Sequence, residues 1–245
     1  MATRERPVVA IDGPAGAGKS TVAAHLARRF GFLNLETGAM YRALALKAID
    51  SDLDLDEEAA LLDLCGHTKI QLEPTRDGNR VLLDGMDVTR RVRDGDVTAA
   101  ASRASVHPQV RDWMVAQQRA LGVAGGVVME GRDIGTAVFP DAEVKIFLDA
   151  APEVRGNRRY RQVASSEHEP AAVTESAVIE EMKARDERDR NRAQSPLRPA
   201  ADAIVVDSTG LSLDEVLERS EAIVRGYLEG AAQAEISLQH RNATD

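Results

Sequence analysis

The 245-residue sequence has few of the residues on which several classes of protein depend. Its single cysteine, Cys65, excludes an internal disulfide and a thiolate metal cluster. Cys65 lies in an apolar helical run, where a free cysteine commonly packs as a small hydrophobe, so we interpret it as a core residue. The five histidines show no metal-ligand spacing, so the sequence offers no zinc site.

The chain also has few aromatic residues, a negative net charge and no long apolar run. Aromatics make up 3% of the chain and the formal net charge is −9, which argues against a nucleic-acid-binding protein. The absence of an 18-residue apolar run argues against a membrane span. Because residues 1–7 are charged and polar, we expect no secretory leader and a cytoplasmic location. We also expect a monomer, since no association patch stands out.

One glycine-rich motif carries a specific chemistry. The pattern G-x-x-x-x-G-K-S lies between an apolar run at 8–11 and an amphipathic run at 22–30. Strand, loop and helix in this order form the context in which the motif cradles phosphate groups. Glycines let backbone N–H groups point inward, and the helix N-terminus adds unpaired donors. The residues predicted to bind ATP are Gly13, Pro14, Ala15, Gly16, Ala17, Gly18, Lys19, Ser20 and Thr21.

Within this motif two side chains have separate expected tasks. Lys19 would reach the β- and γ-phosphates of ATP, and the Ser20 hydroxyl would ligate Mg²⁺. The plain alternative is a glycine-rich turn between a strand and a helix, which would not require every fixed position of the motif to be filled.

The order of strand and helix patterns predicts an α/β fold: a P-loop parallel sheet of about five strands flanked by helices. Short alternating runs separated by turn signals predict a small antiparallel β insert near residues 66–93. We expect one kinase domain over 1–230, with an acceptor-binding insert at about 57–105 and a short helical lid at about 155–192. The last helix is predicted over 213–228, and a polar, aperiodic tail follows to residue 245.

Ligands of parallel sheets gather at the carboxyl ends of the strands. Three polar segments follow predicted strands: the P-loop, residues 36–38 and residues 130–133. Thr37 is a plausible N-cap for the second helix.

The sequence argues against a regulatory GTPase and favours phosphoryl transfer between small molecules. A GTPase needs an Asn/Thr-Lys-x-Asp motif, and the match at 68–71, TKIQ, lacks the aspartate. Arginines on or near candidate loops could align two anionic substrates. Arg185, Asp189 and Arg192 share one face of a predicted helix. For this segment alone, a solvated helix with surface ion pairs is the favoured alternative.

Taken together, these stretches resemble the bacterial cytidylate kinase family of nucleoside monophosphate kinases. The resemblance spans most of the chain up to about residue 230. Glu36 and Glu130 stand where the family often has aspartate, and Thr37 stands where serine also occurs. The matching stretches are GPAGAGKST at 13–21, ETGAMYRA at 36–43, the run at 102–111, EGRDIGTAVFPDAEVKIFLDA at 130–150, and RDERDRNR at 185–192 with DSTGLS at 207–212.

The resemblance implies a role for each matching residue. Arg42, Arg132 and Arg192 would hold the acceptor phosphate. Ser102, Arg111 and Asp133 would contact the cytosine edge, and Arg185 and Asp189 the sugar. Thr37 is a further substrate-binding residue, and the catalytic set is Lys19, Arg132, Arg185 and Arg192.

The implied reaction is the ATP- and Mg²⁺-dependent phosphorylation of CMP, and also dCMP, to the diphosphate with release of ADP. A carboxylate and a hydroxyl suit the exocyclic amine of cytosine, and an arginine suits its ring acceptors. Uracil reverses that edge. Two alternatives remain: another nucleoside monophosphate kinase, such as one that prefers UMP, and a non-catalytic nucleotide-binding regulator.

Overall fold

The computed structural model describes residues 4–75, 78–164 and 174–242. Its elements follow in this order: β1 (Val8–Asp12), α1 (Lys19–Phe30), β2 (Leu33–Glu36), α2 (Thr37–Asp50), α3 (Glu58–Gly66), β3 (Ile70–Thr75), β4 (Gly78–Leu83), β5 (Met86–Asp87), a 3₁₀ turn (Arg91–Arg93), α4 (Gly95–Ala104), α5 (Pro108–Gly122), β6 (Val127–Gly131), a π-helix (Ile134–Val138), β7 (Val144–Asp149), α6 (Pro152–Ala164), α7 (Glu175–Asn191), β8 (Ile204–Asp207) and α8 (Leu213–Asn242).

Five strands form one parallel sheet in the order β2-β6-β1-β7-β8. All five residues of the central strand β1 are buried, as expected for a strand covered by helices on both faces. Its side chains alternate between two cores, with Val8 and Ala10 packed towards α2 and Val9 and Ile11 packed towards α1 and α8. The predicted fold class is therefore confirmed.

The insert is a three-stranded antiparallel sheet, β3-β4-β5, as predicted. Asn79, on β4, joins it to the edge strand of the main sheet. The Asn79 side chain accepts a hydrogen bond from the N–H of Glu36 at 2.8 Å and donates to the carbonyl of Asn34 at 2.7 Å. The insert is thus fixed to β2 directly before the segment that begins α2.

Two local predictions were wrong. Glu36, not Thr37, is the N-cap of α2, and the Thr37 hydroxyl instead donates to the carbonyl of Glu130 at 2.7 Å. Helix α8 continues past residue 228, so residues 229–242 are helical. This segment is rich in alanine, glutamate and glutamine, which have high helix propensity without needing an apolar stripe. Residues 165–173 of the predicted lid and 243–245 of the tail lie outside the described residues.

Within the described ranges, every helix is too short or too polar to cross a membrane.

Candidate active site

A cavity of about 720 Å³ opens at the carboxyl ends of the parallel strands. It is bounded by the P-loop, the start of α2, helix α4, the end of β6, and helices α6 and α7 of the predicted lid. Twelve predicted site residues line it: Ala15, Gly16, Lys19, Ser20, Thr37, Arg42, Arg111, Arg132, Asp133, Arg185, Asp189 and Arg192. The remaining predicted residues, all within the described part of the chain, do not line it: Gly13, Pro14, Ala17, Gly18, Thr21 and Ser102.

The P-loop backbone requires glycine at its entry and exit. Gly13 has φ of 149°, and a Cβ there would lie 2.0 Å from the carbonyl oxygen of Leu148. Gly18 has φ of 98° in the left-handed region and serves as the N-cap of α1. The chain therefore turns tightly from β1 into α1, and Lys19 is the first residue of that helix.

Lys19 is buried among groups of both charges. Its Nζ donates to the carbonyl of Pro14 at 2.8 Å. Burial, followed by the nearby Arg132, lowers the pKa of Lys19 to about 7, although Glu130 and Asp12 act in the opposite direction. Lys19 is thus poised to take a proton when a polyanion enters the cradle.

Two oxygen-bearing side chains, those of Ser20 and Glu130, lie beside Lys19. The Ser20 hydroxyl donates to Oε1 of Glu130 at 2.5 Å. Burial raises the pKa of Glu130, and the neighbouring Glu36 raises it further. No role was predicted for Glu130, although its place at the end of a core strand was a usable signal.

Across the cavity from the P-loop, the described residues form a network of arginines and carboxylates. Arg132 Nε donates to Asp189 Oδ2 at 2.9 Å, and Arg192 lies 3.6 Å from carboxylate oxygens of both Asp189 and Asp133. Burial works to raise the pKa of Asp189, but Arg132, Arg185 and Arg192 outweigh it, and the pKa is lowered. Since Asp189 and Arg192 are 5% and 8% exposed, this face of α7 is not a solvated surface.

The arginines of this network retain unused hydrogen-bonding capacity. Arg185 has no hydrogen-bond partner among the described residues, and burial, followed by Arg132, lowers its pKa to about 10. Five cavity-lining side chains each have a buried polar atom without a hydrogen-bond partner in the described structure: Asn34 Oδ1, Tyr41 OH, Arg42 Nε, Arg111 Nε and Arg192 Nη2. Buried polar atoms are normally paired, so the unpaired atoms around this cavity indicate a place for a polar ligand.

Two of the predicted base-contacting residues meet, and the third lies apart. Arg111 is fully buried, donates to the Asp133 carboxylate and lies over the Tyr41 ring. The Ser102 hydroxyl instead accepts from Arg188 Nε at 3.2 Å, across the gap between α4 and α7. Arg188 was not singled out by its sequence position, because every second or third residue of that segment is charged.

Asp12 connects the start of the P-loop to the segment that follows Asp133. Its carboxylate accepts hydrogen bonds from the N–H groups of Ile134 and Gly135 at 2.8 and 2.7 Å, directly after Asp133. Burial raises its pKa to about 6 despite these two bonds. In sequence, Asp12 was indistinguishable from an ordinary polar residue at the end of a strand.

Comparisons with known proteins agree with this geometry. A family model described as cytidylate kinase matches residues 9–225. The chain is 47% identical over 211 residues to the cytidylate kinase of Aeromonas hydrophila, covering 86% of this chain and 90% of that one. It is 46% identical over 222 residues to the cytidylate kinase of Vibrio cholerae, covering 91% and 97%. It is 49% identical over 222 residues to that of Solibacter usitatus, covering 91% and 94%.

Similarity to solved structures is looser. A shikimate kinase from Bacteroides thetaiotaomicron is 13% identical with a TM-score of 0.46, covering 91% of this chain and 98% of that one. A shikimate kinase from Acinetobacter baumannii in complex with shikimate is 14% identical with a TM-score of 0.41, covering 93% and 96%.

Proposed function

The chain belongs to the cytidylate kinase family and catalyses the ATP-dependent phosphorylation of CMP, and we propose that its cavity divides into a donor cradle and an acceptor pocket. The P-loop forms the cradle. The arginine and carboxylate network of β6, α5 and α7 forms the pocket. The observation that carries this proposal is the group of five arginines that lines the cavity together with the P-loop: Arg42, Arg111, Arg132, Arg185 and Arg192.

In the proposed reaction an oxygen of the CMP phosphate attacks the γ-phosphorus of ATP. A bond forms between that oxygen and the γ-phosphorus, the bond to the β,γ-bridging oxygen breaks, and ADP leaves with the bonding electron pair. The attacking phosphate is already anionic near neutral pH, so the chain does not need to supply a strong base. Catalysis then consists of alignment and of positive charge around the transferring group.

On the donor side, Lys19 and the backbone of residues 13–21 bind the β- and γ-phosphates. A triphosphate favours the protonated form of Lys19, which then stabilises the charge that develops during transfer. Mg²⁺ fits this side, because Ser20 and Glu130 offer the oxygen ligands that it prefers. A set of only one or two protein ligands is usual for Mg²⁺, which takes its other ligands from phosphate and water.

On the acceptor side, Arg42, Arg132 and Arg192 hold the CMP phosphate. Arg185 and Asp189 contact the sugar, and Arg185 also reaches the transferring group. Thr37 contributes by tying the start of α2 to the end of β6, which sets the spacing between the two halves of the pocket.

Base recognition falls to Asp133 and Arg111, with Ser102 as a third contact. The Asp133 carboxylate accepts from the exocyclic amine of cytosine, and Arg111 donates to a ring acceptor. Ser102 is the least directly placed of the three, since its hydroxyl faces Arg188 and does not line the cavity.

Several finer features complete the proposal. The enzyme also accepts dCMP as a substrate. The insert (57–105) and the lid (155–192) close over both nucleotides and exclude water from the reacting phosphates. The protein acts as a cytoplasmic monomer on free nucleotides and does not bind nucleic acid, as its net charge of −9 suggests.

The roles of the two sides are tested with Arg132→Ala. Removing this guanidinium should raise KM for CMP, leave KM for ATP unchanged, and lower kcat by about 10²–10³, the scale for loss of one preorganised donor. Steady-state kinetics with each substrate varied in turn measures these constants. The matched control is Arg190→Ala, which removes an exposed arginine from the last turn of α7. A rise in KM for ATP alone would place Arg132 on the donor side and overturn the assignment.

A further inference from the structure

A buried ion pair lies outside the donor and acceptor residues named above. Arg155, on α6, pairs with Asp186, on α7, and each residue is only 2% exposed. Neither residue lines the cavity. A buried ion pair loses much of its hydration on folding, and this cost offsets the attraction between the two charges. A contribution to stability therefore does not explain why the pair lies here.

Both members of the pair hold one residue of the P-loop. The Ala15 N–H donates to Asp186 Oδ1 at 3.1 Å, and the Ala15 carbonyl accepts from Arg155 Nη1 at 2.9 Å. Arg155 Nε also donates to the carbonyl of Ala150, just after β7, at 2.8 Å. The donor cradle is therefore attached through Ala15 to both lid helices and to the central sheet.

The P-loop also packs closely against these helices. A Cβ on Gly16 would lie 2.8 Å from the carbonyl oxygen of Arg155 and 3.2 Å from the sulfur of Met182. Asp186 is adjacent in sequence to Arg185, and the same helix carries Asp189 towards the acceptor pocket. A displacement of Ala15 relative to α7 would thus change the distance between the ATP-binding cradle and the CMP-binding pocket.

We infer that Arg155 and Asp186 are positioning residues that set the P-loop at a fixed distance from the acceptor-binding face of α7. They touch neither nucleotide and act through the Ala15 peptide group. In-line transfer depends on the approach of the two phosphates, and a misplacement of about 1 Å can cost about 10²-fold in rate. Loss of the pair should therefore slow the transfer step more than it weakens binding of either substrate.

Two single variants measure this effect. Asp186→Asn retains an oxygen that can accept from Ala15 but turns an amide donor towards Arg155, so kcat should fall about 10-fold. Asp186→Ala removes both contacts and should lower kcat about 100-fold, with KM for ATP and for CMP each within about threefold of the parent. Unchanged kcat in folded protein, or a loss carried mainly by KM, would overturn the inference.

A double variant separates positioning from stability. Arg155→Met with Asp186→Leu replaces the pair by apolar side chains, which often restores stability. Because Ala15 still lacks both partners, kcat should stay about 100-fold low while the melting temperature recovers. Recovery of kcat together with the melting temperature would show that the pair only stabilises the fold. The double variant and Asp186→Asn decide the matter if Asp186→Ala does not fold.

Arg4→Met provides the matched control. Arg4 forms ion pairs with Asp141 and Glu143 and is partly buried, but it lies away from the P-loop. This variant should lower the melting temperature and leave kcat at the parental value. A fall in kcat as large as that of Asp186→Ala would make the effect a general consequence of losing an ion pair, and would contradict the positioning role.

Discussion

Lys19 shows how burial prepares a single residue for its ligand. With a pKa of about 7, the ligand-free side chain is mostly neutral above that pH. The phosphates of a bound nucleotide favour the charged form and raise the pKa again. Nucleotide binding at pH 8 should therefore be accompanied by proton uptake at Lys19.

Calorimetry can count this proton. The enthalpy of ADP binding at pH 8, measured in buffers of different ionisation enthalpy, should show about one more proton taken up by the parent than by Lys19→Met. At pH 6 the difference should vanish, because Lys19 is then charged before binding. Equal proton counts in the two proteins at pH 8 would contradict the lowered pKa of Lys19.

Asp133 is the residue that should distinguish cytosine from uracil. Its carboxylate can accept from the N4 amine of cytosine but only repels O4 of uracil, and an unsatisfied buried group costs about 1–3 kcal/mol. Asp133→Asn can offer a donor to O4. In this variant, kcat/KM for CMP should fall. The ratio of kcat/KM for CMP to kcat/KM for UMP should decrease at least tenfold, which corresponds to about 1.4 kcal/mol.

The structure supplies a competing explanation for Asp133, since it already pairs with Arg111 and lies near Arg192. If Asp133 only orients these arginines, Asp133→Asn will reduce kcat/KM for CMP and UMP by the same factor. Measuring both nucleotides on the parent and on the variant decides between the two, and an unchanged ratio would eliminate base recognition by Asp133.

At the scale of elements, Asn79 attaches the insert to the main sheet. This side chain is 4% exposed and satisfies two backbone groups of β2, which precedes Thr37 and Arg42. It is therefore one link between the insert and the segment that we propose to bind the acceptor.

Asn79→Ala should loosen this link. Two hydrogen bonds of about 0.5–1.5 kcal/mol each are lost, so KM for CMP should rise about tenfold while KM for ATP stays constant. The control is Thr89→Val, which removes the hydroxyl that accepts from the N–H of Val81 within the insert. Equal effects of the two variants on KM for CMP would mean that insert stability, not its attachment to β2, governs CMP binding.

Local patterns predicted the elements better than the contacts between them. The P-loop, the parallel sheet and the antiparallel insert follow from periodicity and turn residues, which act over a few positions. The bond between Asn79 and β2, or between Asp186 and Ala15, joins residues 43 and 171 positions apart. Such contacts leave no local signal, and neither does the contact between Arg188 and Ser102.

Across the whole molecule, the negative net charge contrasts with the concentration of arginines in one cavity. The chain carries a formal net charge of −9, yet Arg42, Arg111, Arg132, Arg185 and Arg192 all line one cavity. A local concentration of arginines in an acidic protein suits small phosphate-bearing ligands that can enter the cavity.

We propose that this cavity transfers the γ-phosphoryl group of ATP to CMP and that it selects CMP among nucleoside monophosphates. A coupled assay that supplies ATP and Mg²⁺ with CMP, dCMP, UMP, AMP, GMP or TMP, one at a time, tests this proposal directly. We expect CMP to have the highest kcat/KM and UMP to be lower by about 10² or more, as for a site built to pair a substrate hydrogen-bond donor. A higher kcat/KM for UMP, or binding of ATP without phosphorylation of any acceptor, would contradict the account.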